Sequence, residues 1–141
     1  MKISVHNRQR KIALDREELE RFAERALFLC LRERSRGVGL TSLEEIQVLF
    51  ISDRRMSELH RRFLGIAGPT DVITFQHGEI FISVETARRQ ARAWGSSLAH
   101  ELRLYLVHGL LHLHGLDDQE PAARRRMHAI QEKIVTLASQ S

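Results

Sequence analysis

The chain has 141 residues, enough for one domain with an apolar core, and its single cysteine, Cys30, excludes an internal disulfide and a cysteine-rich zinc site. Hydrophobic residues make up 43% and charged residues 28%; no apolar run approaches the ~20 residues of a membrane span, and the amino-terminal stretch lacks the apolar centre of a signal peptide, so a cytoplasmic protein with no membrane partner is the expectation. The net charge of +4 and pI of about 10.0 suit a polyanionic partner, but all basic residues except Lys2, Lys11 and Lys133 are arginine, a skew that genomic base composition alone can produce.

Residues 2–6 alternate in polarity and read as a short strand. Residues 15–34 read as an amphipathic helix capped by Asp15, with Glu18 three residues on and Leu19, Phe22, Ala23, Ala26, Leu27 and Cys30 at helical spacing. Cys30 is therefore expected in the core. Residues 44–51 form a strand rich in branched and aromatic side chains. A short helix follows from Ser52 or Asp53 to Leu64, with Met56, Leu59 and Phe63 on one face. Residues 71–75 and 79–84 read as strands joined by a tight turn at 76–78, which implies an antiparallel hairpin. Helices are expected at 85–94, 97–114 and 121–138, the last opened by Pro121. Trp94, near a helix end, is expected in the core, with stacking on a base as the alternative. Four strands with about five helices predict an α+β (mixed α/β) fold, a small sheet packed with helices, as one domain over residues 1–141.

The chemistry concentrates in residues 108–118. His108 and His112 are four apart, about 40° around a helix, so both imidazoles face one side. Gly115 is placed to end that helix, and the returning chain delivers Asp118 as a third donor. Two histidines and one carboxylate leave a coordination position open for a water, the arrangement of a catalytic rather than a structural zinc site, here at the end of a central helix. His114 competes for the third place, but it lies about 240° around the axis from His108. Asp117 is a candidate to orient a ligand imidazole through its free N–H. The spacing H-x-x-x-H-x-x-G-x-x-D also resembles the metzincin peptidase signature, yet those enzymes carry a catalytic Glu after the first His, where this chain has Gly109.

The run His108-Gly109-Leu110-Leu111-His112-Leu113-His114-Gly115-Leu116-Asp117-Asp118 resembles the H-G-x-L-H-L-x-G-x-D-H motif of the YbeY family of bacterial endoribonucleases. Pro69-Thr70-Asp71-Val72-Ile73-Thr74-Phe75 is similar to that family's P-T-D-V-L-S-F, and Gly78, Glu79, Ile80, Ile82 and Ser83 to its G-D-I-x-I-S, in the same order along the chain. The resemblance implies a metal-dependent, single-strand-directed endoribonuclease that matures the 3′ end of 16S rRNA and serves ribosome quality control. Its partners would be rRNA and the ribosome or small-subunit precursor, with no DNA substrate. It further implies one zinc ion on His108, His112 and Asp118, the catalytic group acting through a bound water. Two positions depart from the family pattern. Asp118 stands where the family has His, which lowers the formal charge of site plus Zn²⁺ from +2 to +1, makes the bound water less acidic and moves preference toward harder divalent ions such as Mn²⁺. Leu64 stands where the family has an arginine six residues before Thr70, with Arg61 and Arg62 nearby.

Arg54, Arg55, Arg61 and Arg62, with Arg88, Arg89 and Arg92, are the candidates to hold an RNA backbone, while the arginines at 124–126 read as a solvated helix face. Two rival readings remain. One is a non-catalytic ribosome-assembly or RNA-binding module whose metal is structural. The other is a metallopeptidase, which Gly109 opposes.

Overall fold

Alternation of buried and exposed side chains builds the first strand, β1 (Lys2–Asn7), with Ile3 and Val5 turned into the core in the computed structural model, which describes residues 1–35, 37 and 39–140. Helix α1 (Arg16–Leu31) follows, and the Asp15 side chain accepts from the Glu18 N–H as its cap. It buries the predicted stripe, Cys30 included. The helix stops three residues short of the predicted 34 because Arg32, Glu33, Arg34 and Ser35 bring no apolar side chain to bury. A 3-10 turn over Gly39–Ser42, absent from the predicted elements, leads into β2 (Glu45–Ile51).

Helix α2 (Asp53–Leu64) is capped by Ser52 and ends on Gly65, in the left-handed region at φ 68°. Met56 and Leu59 are buried as expected, but Phe63 is 53% exposed and packs edge-on against Phe75 instead. Strands β3 (Val72–Phe75) and β4 (Glu79–Ser83) form the predicted antiparallel hairpin, closed by Gly78 N–H donating to the Phe75 carbonyl at 2.9 Å. Gly78 has φ 115°, and a Cβ there would meet the Glu45 carbonyl at 2.5 Å, so this turn admits only glycine beside β2. Helices α3 (Val84–Trp94), α4 (Leu98–Leu113) and α5 (Pro121–Ser139) complete an α+β fold, with four strands and five α-helices among the described residues. Trp94 is 77% exposed, its Nε1–H donating to Gln90 at 2.9 Å, which overturns the expectation of a core tryptophan. It is the last residue of α3, three positions past Ala91, the final buried residue of that helix. Among the described residues no helix is long and apolar enough to cross a membrane.

The sheet runs β1-β2-β4-β3, with β1, β2 and β4 parallel and β3 antiparallel to β4. Helix α4 is the hub of the helical layer, packing on α1, α3, α5 and the β3–β4 hairpin. Leu102, Leu106, Leu110, Leu111 and Leu113 bury nearly all their surface there. Gly109 sets how closely α4 meets the sheet, since a Cβ on it would lie 2.7 Å from Ile80 Cγ2 on β4. The β-branched Ile80 has little rotamer freedom to yield. Gly109→Ala is therefore expected to lower stability by about 1–2 kcal/mol, the overpacking strain exceeding alanine's better helix propensity; chemical denaturation of the metal-free protein measures it, and a gain in stability would refute the close fit.

Candidate metal centre

Two turns of α4 and the reversal after it bring three donors together. Ser97 caps the helix start, its side chain accepting from the His100 N–H. At the other end Gly115 takes φ 95°, and Leu116 N–H bonds back to the Leu111 carbonyl at 3.0 Å. That glycine-dependent turn folds the chain back along the last helical turn. Asp118 then faces the two histidines: His108 Nε2 lies 3.7 Å from Asp118 Oδ2, and His112 Nε2 lies 4.0 Å from Asp118 Oδ1. One ligand atom from each of the three lies within 4.8 Å of the other two. A tetrahedral ion with bonds of about 2.1 Å would set donor separations of about 3.4 Å, so modest rotamer adjustments would close the cluster on a cation.

The protonation pattern fits that role. His108 Nδ1 is 2.9 Å from Gln131 Oε1, and His112 Nδ1 is 3.2 Å from the Leu116 carbonyl oxygen. Both partners are acceptors, so in the neutral ring each Nδ1 is the protonated nitrogen and each Nε2 is left with its lone pair on the Asp118 side. The side chains of His108, His112 and Asp118 are 30%, 40% and 35% exposed, so the cluster is open to solvent and to a large substrate.

Asp117 departs from its expected role. Its Oδ1 accepts from Gln119 N–H at 2.8 Å, and it lines a cavity of about 410 Å³ with Glu33, Arg126 and Met127 that none of the three donors lines. The imidazole N–H groups are held by Gln131 and Leu116 instead. His114, as its helical angle predicts, points elsewhere: it is buried, its Nδ1 accepts from Leu40 N–H at 3.1 Å, and its Nε2 donates to the Glu33 carbonyl at 2.8 Å. Both ring nitrogens are spent on pinning the end of α1 and the 3-10 turn to α4. Arg124, expected only on a solvated face, donates through Nε to the Asp118 carbonyl at 3.0 Å and so steadies the loop that carries the carboxylate.

The face of α4 that bears the histidines also bears Glu101 and Tyr105, within about 60° by helical geometry. Both are buried. Burial, with the carboxylates of Glu101 and Asp71 adding to it, pushes the Tyr105 phenol well above its usual range, so it stays a neutral donor. Gln131 could not be singled out from the sequence, because its proximity depends on how α4 and α5 pack, whereas Glu101 and Tyr105 follow from helical spacing alone and were passed over.

The candidate arginines divide. Arg54 and Arg55 share the Glu58 carboxylate at 3.9 and 3.1 Å. Arg62 stacks over the Phe63 ring at 5.5 Å, and Arg61, exposed, lines a groove with Arg55, Leu59 and Arg62. Among the described residues none of these is joined by a hydrogen bond or ion pair to the His108–His112–Asp118 cluster. Arg89 is committed elsewhere, to Asp53 at 2.5 Å. Leu64 is 57% exposed at the end of α2, with no polar group to offer a phosphate.

Comparison with known proteins bears on the same elements. The family model for endoribonuclease YbeY matches residues 4–139. An endoribonuclease YbeY from Symbiobacterium thermophilum is 35% identical, the match covering 96% of each chain, and one from Moorella thermoacetica is 32% identical over the same shares. The solution structure of the TM1509 protein from Thermotoga maritima superposes with a TM-score of 0.67 at 25% identity, covering 96% of this chain and 88% of that one. A match this long, running through both the β3–β4 hairpin and the histidine helix, means that the chain belongs to the endoribonuclease YbeY family.

Proposed function

We propose that residues 1–141 act as one metal-dependent endoribonuclease that cuts single-stranded RNA, with His108, His112 and Asp118 as the metal ligands. The convergence of two Nε2 lone pairs and one carboxylate on a solvent-open point carries this reading. Zinc suits the donor set, and Asp118 leaves room for harder divalent ions. When bound, such an ion supplies Lewis-acid chemistry at a phosphoryl oxygen and makes water acidic enough to ionise near neutral pH. The chain's own part is to hold both imidazoles in one tautomer through Gln131 and the Leu116 carbonyl, and to lower the net charge of the centre through Asp118. Arg61 and Arg62 would grip phosphates on the α2 side. Family membership supports rRNA as the substrate, with 16S 3′-end maturation and ribosome quality control as the setting, a small-subunit precursor as partner and the cytoplasm as the place.

A non-catalytic RNA-binding module with a structural ion is the rival that Leu64 keeps in view. It is the weaker one, because structural zinc sites are closed by four protein ligands and three donors converge here among the described residues. The deciding experiment incubates single-stranded and duplex rRNA fragments with metal-loaded wild type, chelator-treated wild type, and a His112→Ala protein prepared in parallel. Metal-dependent cutting of the single strand alone, lost in the variant, is the expected outcome. Binding without cleavage by any preparation would favour the rival, and equal cutting by all would expose a contaminating nuclease.

Phosphate contact has its own signature. For single strands the slope of log affinity against log salt is about −0.7 per contact, so replacing Arg61 and Arg62 together by alanine should flatten it by about 1.4 and weaken binding. Fluorescence anisotropy of a labelled RNA measures this, and an unchanged slope would remove both arginines from the interface.

A further inference from the structure

Gln131 lies on α5, in a different part of the chain from all three donors, and reaches His108 across the α4–α5 packing. Its register is set by neighbours that bury themselves against the core, Met127 and Ile134 among them. The two imidazoles of the cluster are thus held by partners of different chemistry. A backbone carbonyl can only accept, so the Leu116 oxygen fixes the proton of His112 on Nδ1 without condition. A glutamine amide has one accepting and one donating end, so it fixes the tautomer of His108 only through the end it presents. Here Oε1 is presented, at 2.9 Å from Nδ1. The carboxylate makes no competing claim, since Asp118 Oδ2 at 3.7 Å from His108 Nε2 is beyond hydrogen-bond length.

We infer that Gln131 is the positioning residue of the metal centre: its amide oxygen holds His108 as the Nδ1–H tautomer and thereby keeps the Nε2 lone pair aimed at the point shared with His112 and Asp118. The inference rests on the proposed metal site and adds a residue that donates no ligand atom. If the amide turned over, its NH₂ would face Nδ1, the imidazole proton would move to Nε2, and the lone pair that binds a cation would be gone. Removing the amide leaves the ring free to take either tautomer and to rotate.

The test compares wild type with Gln131→Leu, which keeps bulk and loses the acceptor, and Gln131→Glu, which can only accept. Nitrogen-15 shifts of the histidine side chains in metal-free protein, at a pH where the rings are neutral, read the tautomers directly. Wild type and Gln131→Glu should show His108 protonated on Nδ1, whereas Gln131→Leu should shift population toward Nε2–H with His112 unmoved. Competition with a chromophoric chelator should then give zinc affinity 10- to 100-fold weaker in Gln131→Leu and at least wild-type in Gln131→Glu. Melting of the metal-free variants verifies the fold. A filler role predicts the opposite order, with leucine tolerated and glutamate harmful. An unchanged His108 tautomer in Gln131→Leu overturns the inference. Wild type that takes up no zinc, yet shows the tautomer shift, would sink the metal-site proposal while leaving the positioning of His108 intact.

Discussion

Replacing His112 by alanine is expected to lower metal-dependent RNA cleavage by about 10³-fold or more and to leave the metal-free fold unchanged. The magnitude follows from the chemistry: an ion at a phosphoryl centre contributes several kcal/mol to transition-state stabilisation, and each 1.36 kcal/mol is a factor of ten. The fold should be indifferent because the His112 side chain is 40% exposed and alanine is the better helix former. The bond to the Leu116 carbonyl, the edge contact with the His108 ring and the approach to Asp118 are given up, all at a partly exposed surface. Single-turnover cleavage of a single-stranded rRNA fragment, beside thermal melting of the chelator-treated proteins, separates the two effects. Activity within tenfold of wild type would mean that His112 is no ligand. A large loss of melting temperature would mean that the residue serves the fold.

The second large effect concerns a network that no sequence motif announced. Asp53, at the first turn of α2, accepts from Ser83 Oγ at 2.5 Å, from Thr86 Oγ1 at 2.7 Å and from Arg89 Nη1 at 2.5 Å, tying α2 to the start of α3. Burial alone would raise its pKa, but the hydrogen bonds from Arg89, Ser83 and Thr86 outweigh that and hold the carboxyl below the usual range. Asp53→Ala removes charge-assisted bonds and leaves the fully buried Ser83 hydroxyl without its acceptor. The combined cost is roughly 3 kcal/mol, or about 10 °C in melting temperature for a domain of this size. The sign of the pH dependence is fixed by the depressed folded-state value. The Asp53 contribution is present in full above the unfolded value of about 3.9 and is lost as pH falls through the lower folded-state value. Wild type and variant should therefore differ most at neutral pH and converge in acid. A gap that stays constant from pH 7 down to pH 2 would show that ionisation of Asp53 is not what stabilises the junction.

The elements were legible because their signals are local. The Asp15 cap, the apolar stripe of α1, the glycine of the β3–β4 turn and the Pro121 start of α5 each act within a few residues, and the structure has all four. The turning away of His114 was equally readable, since it needs only the geometry of one helix. What escaped notice acts across elements. Gln131 reaches His108 from 23 residues away, Arg89 reaches Asp53 from 36, and Leu40 meets His114 from 74. Phe63 and Trp94 were misplaced for the opposite reason, that an apolar ring near a helix end has no obligation to be buried. Gly109 had two meanings of which one was visible: it lacks the carboxylate of a peptidase, and it also lets α4 lie against Ile80, where a glutamate would collide with the sheet.

Crystals of zinc-loaded protein, measured at the zinc absorption edge, show whether one cation sits between His108, His112 and Asp118. The expected result is a single strong anomalous peak per chain, about 2.0–2.2 Å from both Nε2 atoms and an Asp118 oxygen. A peak bound by other residues, or none at that point in fully loaded protein, would contradict it.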